Sequence, residues 1–238
     1  MKYLLNVADL VVQIDVKYQL LLNRIQAYRI DESDHVDIVI DISEEKLKEG
    51  LEAMPNLSLE EVEYMLTSVV FFRELLNFNA LVIHSSAVVV DNKVYAFSAR
   101  SGVGKSTHAN LYLERYKNSY IINDDKPVFR YIDGKFKVFG TPWSGKFDIS
   151  RNIGVDLQGL GFIVRGKDNS IRSLNKKEAV TKIMEQTFIP NNREKLNNLL
   201  ILLDKFINMY TLCEVTCDIS IEACEMSYRY MKGMTNGN

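Results

Sequence analysis

Val94-Tyr95-Ala96-Phe97-Ser98 runs directly into Ala99-Arg100-Ser101-Gly102-Val103-Gly104-Lys105-Ser106-Thr107, and this junction decides the fold. The first stretch is an apolar run of strand length. The second carries two glycines and a Lys-Ser pair, and Lys105 to Tyr116 then reads as a helix. In a strand, glycine loop and helix, consecutive backbone N–H groups and a helix N-terminus converge on an anion. Gly102 and Gly104 let the backbone curl close to phosphates. Lys105 supplies a cation for β/γ oxygens, and the Ser106 hydroxyl is a magnesium ligand. Ala99 stands where the pattern has glycine. The competing reading is a glycine turn capping an ordinary helix; the flanking strand and helix favour the phosphate loop. The expected nucleotide contacts are Ser101, Gly102, Val103, Gly104, Lys105, Ser106 and Thr107, with ATP and Mg²⁺ as the ligands.

Downstream, Tyr120-Ile121-Ile122 is a short apolar strand ending at Asn123-Asp124-Asp125, roughly 20 residues beyond the loop. Ligands of open α/β sheets gather at carboxyl strand ends. One carboxylate can hold magnesium, and the other can accept a proton from an attacking hydroxyl. A solvated turn is the competing reading; position after a phosphate loop favours the functional one. Upstream, Leu81 to Val90 and Val94 to Ser98 read as two strands joined at Asp91-Asn92-Lys93. His84 lies in the first. It is either a core histidine or a group that reaches the γ-phosphate or hydrogen-bonds Asp124. Gly140-Thr141-Pro142-Trp143-Ser144-Gly145-Lys146 holds the single Trp. Trp143, Ser144 and Lys146 form either a substrate wall or a turn with Trp143 plugging the core.

The remaining pattern is mixed. Val11 to Val16 and Val36 to Ile42 partly alternate, as strands do. Tyr18 to Ile30 fits a helix or a strand pair. Ser58 with Glu61 makes a capping box for a helix over 58–77. Leu59, Val62, Leu66, Val69 and Leu76 mark its apolar face. Asp133-Gly134 signals a hairpin between Val128–Tyr131 and Lys135–Phe139. Leu160–Arg165 and Thr211–Thr216 read as strands. Helices are expected from Asn175 to about Thr187, from Asn191 to Tyr210 and from Ser220 to Lys232. The fold expected is α/β: a P-loop kinase-like core with a mixed sheet flanked by helices, residues 80–238, plus a small N-terminal α+β subdomain, residues 1–79.

The chain has 238 residues, 47% hydrophobic, with net charge -2. That balance offers no electrostatic case for nucleic acid or an anionic membrane. No stretch reads as a signal peptide or a membrane span. The three cysteines, Cys213, Cys217 and Cys224, form no CxxC pair and fit free core thiols in a reducing cytoplasm.

From about Ala80 to Met231 the chain resembles the HPr kinase/phosphorylase-like family of small bacterial serine kinases. It is most similar to the shorter relatives found beside modified-peptide biosynthesis genes. The resemblance rests on His84, then Ser101-Gly102-Val103-Gly104-Lys105-Ser106, then Asn123-Asp124-Asp125, with Gly140 to Lys146 like that of the shorter relatives. It implies that Asp124 is the base for a serine hydroxyl, that Asp125 helps hold magnesium and that His84 supports the phosphate site. Asp156 resembles an acidic metal-binding position of the full-length enzymes, although Gln158 stands where those have Arg, a departure that counts against phosphorylase activity. The full-length relatives form homo-oligomers, and the resemblance extends that expectation here. The leading expectation is a Mg²⁺-dependent kinase acting on a serine of a peptide or protein. A kinase for free serine or a similar metabolite is the nearest rival. A nucleotide-gated binding protein with slow hydrolysis is the second class, and a phosphoenolpyruvate-carboxykinase-like chemistry is a third for which the chain is short.

Overall fold

The computed structural model describes residues 1–233. The chain opens with a sheet in the order β3-β1-β2-β4, built from β1 (Lys2–Val7), β2 (Leu10–Asp15), β3 (Arg29–Ile30) and β4 (Ile38–Ile40). Ala8 and Asp9 join the first two strands at φ 57° and 58°. That is the primed hairpin geometry whose twist matches the strands. Leu10, Val12 and Ile14 face the core from β2, as strand alternation requires. The ambiguous 18–30 segment resolves into α1 (Gln19–Arg24), a single 3₁₀ turn and β3.

α2 (Glu44–Ala53) and α3 (Leu59–Leu75) follow, and the Ser58–Glu61 capping box opens α3. The apolar face expected for this helix needs correction. Leu59, Val62 and Leu66 pack in one cluster with Leu47 and Leu51 of α2 and Met54 just beyond its end, and Val69 is 36% exposed. A second face carries Phe71, Phe72 and Leu75 into the strands. Glu63 is buried because its carboxylate accepts from Lys17 N (2.6 Å) and Tyr18 N (3.1 Å). A paired polar group inside is tolerated, so hydrophobic spacing alone understated the helix's burial.

The second sheet has nine strands: β5 (Ala80–Val82), β6 (Ser85–Val90), β7 (Lys93–Ser98), β8 (Tyr120–Asn123), β9 (Val128–Ile132), β10 (Lys135–Phe139), β11 (Gly154–Arg165), β12 (Ser170–Ser173) and β13 (Cys213–Cys217). Its path is β5-β9-β10-β11-β7-β6-β8, with β13 on β11 and β12 on β13. Leu81 to Val90, expected as one strand, breaks at Ile83-His84. β5 pairs with β9, whereas β6 pairs with β7 and β8. At the break the His84 N–H donates to Gln186 O at 2.7 Å. β7 runs parallel to β11, and β11 parallel to β13; β6 is antiparallel to both β7 and β8. The carboxyl ends of β7, β8, β11 and β13 and the amino end of β6 therefore share one edge.

α5 (Lys176–Met184) and α6 (Arg193–Met209) cover one face of this curled mixed sheet. α4 (Lys105–Arg115) and α7 (Ile221–Gly233) cover the other, with all three cysteines buried and free. No helix among the described residues is long and apolar enough to cross a membrane.

A third cluster joins the N-terminal sheet and α3 to Ala80, Val82, Val128, Phe139 and Trp143. Trp143 has no exposed surface, stacks on Phe71 at 4.6 Å and donates from Nε1 to Thr67 Oγ1 at 3.2 Å. It is a core plug and not a substrate wall. Trp143→Ala is expected to cost about 3–5 kcal/mol, read as a fall in the urea midpoint with an unchanged slope.

Candidate functional site

The site forms at the shared sheet edge. Ser98 ends β7, and the loop reaches α4 through Gly102 at φ 76° and Gly104 at φ 128°. An L side chain at either position is strained, while the space beside each is open. Val103 N donates to Arg100 O, and His108 N to Gly104 O. Among the described residues, the N–H groups of Gly104, Lys105, Ser106 and Thr107 have no acceptor within the protein. α4 has no side-chain cap and no acidic residue in its first turn. A helix N-terminus left so bare favours negative charge. Arg165, at the end of β11, braces the loop by donating from Nε to Val103 O at 2.8 Å.

Lys105 is 8% exposed, and its Nζ donates to Ala99 O at 3.2 Å. Burial lowers its pKa, and the negative charges of Asp125 and Asp124 oppose that shift. The lysine thus lies in the field of both carboxylates.

β8 delivers that pair. Asn123 is buried, and its Oδ1 accepts from Asp125 N (2.9 Å) and Lys126 N (2.7 Å). Its Nδ2 donates to Thr141 O at 3.1 Å. This local turn, closed by an Asn side chain, presents the two aspartates differently. Asp124 is 6% exposed, and its Oδ1 accepts from Ser86 Oγ at 3.0 Å. Asp125 Oδ1 lies 2.9 Å from His84 Nε2, and its Oδ2 pairs with Lys126. His84 therefore bonds Asp125 and not Asp124. The cause is register: Ser85 N donates to Asp125 O at 3.1 Å, which sets the residue before it beside Asp125.

Burial by itself would raise the Asp125 carboxyl, but the hydrogen bond from His84 and the charge of Lys126 outweigh it and hold it at about 2. A depressed folded pKa contributes stability in full above the unfolded value near 3.8 and loses it as pH falls through about 2. In His84→Ala that contribution should be smaller and exhausted at a higher pH. Acid unfolding followed by circular dichroism reads the shift as a raised midpoint.

Two other expected residues fall elsewhere. Ser144 is 3% exposed; its hydroxyl accepts from Arg24 Nη1 (2.8 Å) and donates to Asp148 Oδ1 (2.9 Å). It anchors its own loop and does not face a substrate. Asp156 sits beside Lys93 and Lys135, at 3.1 and 2.9 Å, near the start of β7. Lys93 to Ala99 spans the whole strand, roughly 20 Å at strand rise. Asp156 therefore belongs to the opposite sheet edge and is an ion-paired strand residue, not a ligand of this site. Lys146 is exposed. Its neighbour Gly145 lies against the pair: a Cβ there would meet Asp125 Cβ at 3.3 Å and Asp124 Oδ2 at 3.6 Å.

No protein-family model matches the chain, and no curated protein matches it.

Several residues of the site were not singled out from sequence. Ser86 and Lys126 were within reach, since each adjoins a quoted motif. Arg24 and Tyr64 carry no local signal: Arg24 grips Ser144 and Asp148, and the Tyr64 hydroxyl donates to Ser144 O at 2.6 Å from the N-terminal unit.

Proposed function

We propose that the chain is a Mg²⁺-dependent, ATP-using kinase that transfers the γ-phosphoryl group to a serine hydroxyl of a peptide or protein, in the manner of the HPr kinase/phosphorylase-like family it resembles. The observation that carries this reading is the bare, glycine-led N-terminus of α4 on the same edge as Lys105 and the Asp124–Asp125 pair. The glycine loop and the free N–H groups suit a phosphate chain. A second, acidic element beside a phosphate cradle suits transfer to a hydroxyl.

Asp124 is the base. Ser86 fixes one of its oxygens and leaves the other to take the proton of the acceptor hydroxyl. Lys105 neutralises charge that develops on the transferred group. Bound Mg²⁺ supplies Lewis-acid polarisation of the phosphoryl oxygens. Ser106 and Asp125 are the residues that would hold it. Two protein groups suffice, because this ion takes the rest of its shell from phosphates and water. Asp125 suits the task because it stays ionised, and His84 keeps it oriented. Lys126 must yield an oxygen of Asp125 when the ion binds. The three buried free thiols suit a reducing, cytoplasmic setting for this activity.

Intact-mass spectrometry of serine-containing peptides incubated with the protein, ATP and Mg²⁺ tests the proposal. A gain of one phosphoryl group on a peptide supports it. Phosphorylation of free serine alone would replace the peptide acceptor by a metabolite. ATP turnover with no phosphorylated product would remove the kinase reading.

A further inference from the structure

A cavity of about 460 Å³ opens beside the first turn of α4, walled by Val103, Thr107, Leu111, Ile163, Cys217 and Ile219. Gly104 borders it, so the cavity and the loop share a wall. It lies by β11 and β13, on the side of β7 away from β6 and β8. Asp124 and Asp125 follow β8, so the loop stands between the acidic pair and the cavity. A triphosphate lying along the loop with its γ-phosphoryl group near Lys105 and Asp124 directs its other end past Thr107 into this space. The neighbouring cavity, of about 380 Å³, adjoins Ala99 and Arg100 at the start of the loop and does not touch the first turn of α4.

From this placement we infer that the cavity beside α4 takes the nucleoside end of the nucleotide and recognises the base by apolar contact area, not by hydrogen bonds. The inference rests on the kinase reading above.

Its second half follows from the polar groups of the wall. His108 is 3% exposed; its Nε2 is bonded to Ser227 Oγ at 3.0 Å, and its Nδ1 faces Cys217 Sγ at 3.8 Å. Arg165 is engaged with the loop carbonyls of Val103 and Gly102. Asp218 is open to water and accepts from Ser220 Oγ at 2.5 Å. Among the described residues, no buried side-chain donor or acceptor lacks a partner. No buried side-chain polar group of the wall is left unpaired to read the edge of a base, and, apart from Arg165, its exposed ones, Thr107 and Asp218, are solvated. A site that reads by hydrogen bonds rejects the wrong ligand by orders of magnitude, whereas apolar fit discriminates weakly.

Calorimetric titration of the full chain with ATP, GTP and inorganic tripolyphosphate, each with Mg²⁺, tests this. Two variants are compared with the parent. Ile219→Ala removes a wall from a residue that is 78% exposed, which leaves the fold intact. Ile163→Phe extends a ring into the cavity. ATP and GTP are expected to bind within about threefold of each other. Both should weaken about fivefold in Ile219→Ala and more than about tenfold in Ile163→Phe, with tripolyphosphate unchanged. Unaltered ATP and GTP binding in both variants, alongside intact tripolyphosphate binding, would place the nucleoside elsewhere. A preference above about a hundredfold for one purine overturns recognition by area. If the parent fails to bind tripolyphosphate, the phosphate-loop reading itself falls, and the inference with it.

Discussion

Lys105→Ala is expected to lower kcat/KM for phosphoryl transfer by about 10²–10³-fold. The side chain is 8% exposed and sits where the bare N-terminus of α4 meets the two carboxylates. Loss of a preorganised cation in such a water-poor site exposes charge that builds up in the transition state. The fold should survive the change, because the Lys105 ammonium bonds only the Ala99 carbonyl among the described residues. Burial disfavours its charge besides. A thermal melt that matches the parent, combined with transfer reduced by that factor, is the expected pair of results. Near-parental kcat/KM in a well-folded variant would take the lysine out of the mechanism.

Asp124→Asn should produce a comparable loss with a different signature. A positioned base contributes about 10²–10⁴-fold. The amide oxygen can still accept from Ser86 Oγ, so the local hydrogen bond is preserved while the proton acceptor is removed. The fall should therefore appear in kcat, with the affinity for ATP little changed. That split separates it from Lys105→Ala, where binding suffers as well. Single-turnover transfer and a direct binding titration measure the two terms. Parental single-turnover rates in Asp124→Asn would move the base role to another group.

Much of the local geometry at this edge was legible because it depends on adjacent residues. Glycines at fixed spacing before Lys105-Ser106 demand a positive φ, and Gly102 and Gly104 adopt it. The Asp133-Gly134 hairpin and the Ser58–Glu61 and Asn175–Glu178 caps are likewise contacts between residues a few positions apart. Their outcome depends on few other residues.

What was left open or misread depends on partners distant in sequence. Trp143 and Ser144 were left between a substrate wall and a turn with Trp143 plugging the core. Phe71, Thr67, Arg24 and Tyr64 bury and bond that turn from the N-terminal unit. His84 sat in an apolar run that reads as one strand. Its partner was settled when β5 joined β9 and β6 joined β7 and β8. Asp156 entered only through its resemblance to an acidic metal-binding position, and the register of β11 on β10 and β7 carries it to the far edge.

By itself, then, the sequence determined most of the elements beyond residue 57, several of their caps and turns, and the strand–loop–helix unit with its acidic pair, because backbone conformation and short-range hydrogen bonds are set by adjacent residues. Only the tertiary structure decided that His84 holds Asp125, that Ser86 holds Asp124, and that the N-terminal unit clamps the loop beside them. Those choices belong to strand register and to burial, which are properties of residues brought together across about 40 to 120 positions of chain and have no signature in any one stretch of it.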